Sequence, residues 1–143
     1  MVMISGHINV ASAGVLAAEF LVEACGAGQD LRLGTVRDLA HDLGRGLVSL
    51  SAVGTPDSLV EAALACADLA TLAACNVSAL PDRGRQPGAA ATHLAAGAAR
   101  ALAALAEAEM GGPDDAYAEN VSKDARSAGW KADLAVRQLG EAG

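Results

Sequence analysis

Alanine occupies 35 of the 143 positions and leucine 18. These are the two strongest helix formers, and the aromatic residues that favour strands are almost missing, only Phe20, Tyr117 and Trp130 being present. A chain of this kind is committed to helices throughout. It must also build its core from small side chains and close helix–helix approach, because it has few large rings to fill space. The expectation is an all-α, single-domain bundle of about five Ala/Leu-rich antiparallel helices spanning residues 1–143.

Periodicity and punctuation divide the chain. A first helix is expected from about Val10 to Cys25, with Asn9 as its cap and Gly26 and Gly28 beyond its end. Thr35 is expected to cap a second helix to about Leu50. Val36, Leu39, Leu43, Leu47 and Leu50 there recur at spacings of three and four and form one apolar stripe. Thr55-Pro56-Asp57 is a strong start signal for a third helix to about Val77. That helix is apolar over most of its circumference, which suits a central position. Leu80 to Gln86 reads as a polar loop, and Pro87 as the opening of a fourth helix from about Gly88 to Met110 with Leu94, Leu102 and Leu105 on its core stripe. Gly111-Gly112-Pro113 should end it, and Asp114 or Asp115 should cap a fifth helix reaching about Leu139, with Gly140 beyond. No repeat or long linker intervenes, so neighbouring helices should pack antiparallel.

The net charge of −7 argues against nucleic acid as a partner. Cys25, Cys66 and Cys75 lack metal-site spacing, and Cys66 and Cys75, nine apart, lie on opposite faces of one helix. Three small free thiols suit a reducing compartment. The first 18 residues carry no charged side chain, and Ala11-Ser12-Ala13 mimics a cleavage site, but a basic start is missing and Ser5, Gly6, His7 and Asn9 interrupt the apolar run. No other segment reads as long and apolar enough to span a bilayer. The expected protein is soluble and cytoplasmic, with no membrane partner.

No phosphate loop, nucleophile elbow or Glu-x-x-His pair is present, and Gly26-Ala27-Gly28 lacks the third glycine of a dinucleotide fingerprint. The sequence names no cofactor and no metal site. His7, His41 and His93 are far apart, and His41 sits between Arg37 and Arg45, opposite the leucines of its helix. Asp68 interrupts the most apolar stretch of the chain, and a carboxylate buried there would need a partner or a raised pKa. Glu61 and Thr71 share its face, so the same residues also describe a solvated stripe. His93, Arg100 and Glu107 recur at intervals of seven and share a face of the fourth helix. A catalytic pocket between the third and fourth helices would use Asp68 and His93 as acid and base, with Arg100 and Glu61 binding a small-molecule ligand. Glu19 and Glu23, one turn apart, are the only charges of the first helix.

The fifth helix carries a second apolar feature. Tyr117, Val121, Ala125, Ala128, Ala132, Ala135 and Leu139 form a stripe that should face the core. Trp130 and Leu134 project from roughly the opposite side, flanked by Lys123, Arg126, Lys131 and Arg137. Tryptophan is enriched in interface cores. The favoured expectation is a non-catalytic helical protein that self-assembles or binds a partner through Trp130 and Leu134, a homodimer being the simplest case. The pocket is the alternative. In size, helix count and alanine richness the chain resembles small helical cyclodeaminase-type folate enzymes. Their Gly-rich segment is not reproduced, Pro87-Gly88-Ala89 is a poor substitute, and no residue role is carried over.

Overall fold

A computed structural model describes residues 2–26, 30–109 and 116–142. It contains five helices: α1 (Val2–Cys25), α2 (Leu31–Ser51), α3 (Pro56–Asn76), α4 (Asp82–Ala108) and α5 (Ala116–Ala142), with one turn of 3₁₀ helix at Val77–Ala79. Each helix packs against the next in sequence, and short connections between adjacent helices require them to run antiparallel. The helices α1 to α4 close a four-membered bundle in which α1 also meets α4, and α5 lies outside it across α3 and α4. The layers are therefore α1 with α2, then α3 with α4, then α5. α3 is central, packing against α2, α4 and α5, as a surface apolar over most of its circumference favours.

Alanine sets the packing. Ala63, Cys66, Ala67, Ala70 and Ala73 of α3, Ala91, Ala95, Ala99 and Leu102 of α4, and Ala128, Ala132 and Ala135 of α5 are all fully buried. Such side chains contribute little area each, so stability comes from backbones lying close together. Gly14 of α1 fits against Leu47 of α2 and Cys66 of α3, and a Cβ at Gly84 would land on the carbonyl oxygen of Ala24.

Several helix ends differ from the sequence expectation, each for a local reason. α1 begins at Val2, so Asn9 lies inside the helix and not at its cap. α2 begins at Leu31 because the Asp30 carboxylate accepts from the amides of Arg32 (2.8 Å) and Leu33 (3.4 Å). Thr35 is consequently internal, and its hydroxyl donates to the Leu31 carbonyl. Leu39 is 47% exposed, and α2 turns Leu33, Val36, Ala40 and Leu47 inward instead. α3 starts as expected, with the Thr55 hydroxyl accepting from the Ser58 amide and Pro56 in the first position. α4 begins at Asp82, so the expected polar loop is its first turn and Pro87 is internal. An internal proline forfeits one backbone hydrogen bond. The gain is that Gly84 and Gly88, both buried, seat this turn against Ala24 and Leu80. α5 continues through Gly140. Met110, the Gly-Gly-Pro stop and the Asp114 or Asp115 cap lie outside the described residues, as do Gly28 and the side chain of His7.

The helix ends are tied by polar groups. Gly26 closes α1 at φ +70°, and the Arg37 guanidinium donates to its carbonyl. The buried Asn76 amide donates to the Leu72 carbonyl (2.8 Å) and accepts from Arg32 Nε (3.1 Å), joining the end of α3 to the start of α2. By length and composition, residues 56–79 and α4 are apolar enough to cross a membrane, which corrects the sequence expectation. In the bundle much of their surface is covered by neighbouring helices.

Candidate functional site

Two surface features stand out against this background. The first is the outer face of α5. Its inner stripe, Val121, Ala125, Ala128, Ala132 and Ala135, is buried against α3 and α4. Trp130 points away and is 61% exposed, while Leu134, one turn later, is half-buried. Helical spacing places Arg126 four residues before Trp130, Lys123 seven before and Arg137 seven after, so these three exposed cations share its face; of the carboxylates on that face, Asp133 is paired with Arg100, and Glu119 and Glu141 stand three turns away at either end. The sole tryptophan thus sits in a cationic collar on the outer face of α5. Tyr117, expected on the core stripe, is itself exposed at the start of α5.

The second feature is a groove of about 310 Å³ between α1 and α2, on the opposite side of the bundle. Its floor is apolar, made by Val15, Ala18 and Val22 of α1 and Gly44 and Val48 of α2. Glu19 and Glu23 rise from the α1 wall, His41 and Arg45 from the α2 wall. The ion pairs among the described residues are Arg85–Asp82 and Arg100–Asp133, so none of these four groups is spent in one. The sequence placed Glu19 and Glu23 one turn apart on the first helix and His41 opposite the leucines of the second. It did not show that they flank one groove, because the pairing of helices is not written in the period of either.

The residues of the alternative pocket lie on α3 and α4. Asp68 and Glu61 are exposed on α3, and Asp68 lines neither the α1/α2 groove nor a shallower one between α1 and α4. His93 is exposed and lines that α1/α4 groove with Asn9, Val10, Leu94 and Gly97. Arg100 turns to α5, where its guanidinium donates to Asp133 at 2.6 Å. Both partners are half-exposed, so the pair contributes at most about 1 kcal/mol.

Two of the three thiols, Cys25 and Cys66, are shielded by burial. Burial pushes the Cys66 thiol up to about 12. Burial also raises Cys25, partly offset by the nearby Arg37 charge. Cys75 is exposed, and its thiol donates to Gln138 Oε1 at 3.6 Å. Among the described residues no three His, Cys, Asp or Glu side chains are placed to hold a metal ion. No family model, curated protein or solved structure matches the chain.

Proposed function

We propose that the protein is a non-catalytic helical module that acts by assembly through the outer face of α5, with a second copy of the chain as its first partner and a dimer as its smallest assembly. Support rests on Trp130, the largest exposed apolar side chain among the described residues, on a helix face that none of them covers. A large ring held in water loses the hydrophobic gain that burial would give it, and tryptophan at the centre of a patch is the commonest kind of binding anchor. The stems of Lys123, Arg126 and Arg137 can lie around it with their heads in water, which suits the rim of such a contact.

The enzyme alternative has weaker support. Asp68 is solvated, His93 opens towards α1, and Arg100 is held by Asp133. A cytoplasmic site of action fits three cysteines that are all free, two of them buried where oxidation would disrupt the core. The test of the assembly function is solution mass by light scattering behind size exclusion. Trp130→Ala is expected to lower the mass, with helicity unchanged. An unaltered mass would remove the proposal.

A further inference from the structure

The cationic collar bears on which surface Trp130 meets. Two α5 faces pairing antiparallel about Trp130 would set Lys123 of each copy against Arg137 of the other, while Arg126 would lie opposite Leu134 and Asp133. Like charges brought together in an interface oppose binding. The face therefore calls for a surface that is apolar at its centre and acidic beside it. The same chain presents one. The α1/α2 groove has an apolar floor that includes Val48, 58% exposed, and it is edged by the Glu19 and Glu23 carboxylates.

We propose that copies of this chain associate head to tail, with Trp130 of one copy seated in the α1/α2 groove of the next and its cationic collar lying over Glu19 and Glu23. This deepens the assembly function proposed above and rests on it. The groove's volume of about 310 Å³ gives room for an indole and part of Leu134 beside it. Charge also fixes the orientation. The Arg45 guanidinium stands on the α2 wall, so the collar lies towards α1 and away from α2. The two surfaces are on opposite sides of the α3/α4 layer, so a contact between them leaves each copy with one free knob and one free groove. Such a contact extends into an open row or a large ring instead of stopping at a closed pair.

Complementation distinguishes this arrangement from every other use of the same residues. Two variants are made, Trp130→Ala, which keeps the groove, and Glu19→Arg/Glu23→Arg, which keeps the knob. The substituted side chains are all exposed, and circular dichroism checks that both variants remain helical. Each alone is expected to be monomeric, whereas the wild type gains mass with concentration. Mixed in equal amounts they should form a one-to-one heterodimer and no larger species. Trp130, the only tryptophan, should shift its emission to the blue on mixing. Arg45→Glu should strengthen association of the wild-type kind.

An acid-reversed variant that keeps the wild-type mass would overturn the head-to-tail contact and leave pairing between α5 faces. A mixture that stays monomeric would also overturn it. A Trp130→Ala protein with the wild-type mass would instead remove the assembly function itself, so the two failures are separable.

Discussion

Gly14 of α1 lies so close to Cys66 of α3 that a methyl group at position 14 would stand 2.7 Å from the Cys66 sulfur. The same methyl would be 3.0 Å from Leu47 Cδ1. Here three helices meet on the smallest side chain available. Gly14→Ala should destabilise the fold by about 1–3 kcal/mol through overpacking, despite alanine's higher helix propensity. In a Cys66→Ala background the sulfur is gone, and the cost of Gly14→Ala should shrink by about 0.5 kcal/mol or more. Urea unfolding of the four proteins in this cycle measures the coupling. Strict additivity would contradict the contact.

Gly84 and Gly46 make a paired prediction. A Cβ at Gly84 meets the Ala24 carbonyl, which is backbone and cannot swing aside, while a Cβ at Gly46 meets nothing within 4 Å. Gly84→Ala should cost about 2 kcal/mol or more by forcing α1 and α4 apart. Gly46→Ala, in an exposed helix interior, should stabilise by about 0.5–1 kcal/mol. Thermal unfolding reads both, and equal shifts in one direction would contradict the packing.

The thiols should react in two classes. Cys75 is exposed, whereas Cys25 and Cys66 are buried. A colourimetric thiol reagent should label one cysteine rapidly in the native protein and all three once the chain is denatured. Rapid native labelling of Cys66 would show that α1 and α3 do not close over it.

Alkaline pH should expose the cost of burying Cys66. Its ordinary value of 9.0 is pushed up to about 12 in the fold. Between those values the unfolded chain releases the proton and the folded one keeps it. Stability is therefore unaffected below pH 9 and falls as pH rises towards 12, by at most about 1.4 kcal/mol per unit. The difference in unfolding free energy between wild type and Cys66→Ala should change across that window and stay flat below it. A flat difference throughout would contradict the burial.

Helix number, class and the central place of α3 were legible because they follow from composition and from Thr55-Pro56-Asp57, signals local to one element. The boundaries of α2 and α4 were less so. Asp30 and Thr35 are both competent caps, and the choice depends on Arg32 meeting Asn76 and on Leu33 reaching the core, which are tertiary events. Pro87 reads as a helix start unless it is known that Gly84 must seat against Ala24. Asp68 drew attention because its sequence neighbours are apolar, yet the helical period turns it outward while Ala67 and Leu69 turn inward. Trp130 was legible because its helix has only one core stripe and the ring lies off it. The groove opposite needed the register of α1 on α2, with Gly44 facing Ala18.

Solution mass of the wild type and of Trp130→Ala, across a concentration series, tests the central claim most directly. A wild type that associates and a variant that stays monomeric, both fully helical, is the predicted result. A wild type that is monomeric at every concentration, or a variant that assembles like the wild type, would contradict a role for the α5 face in assembly.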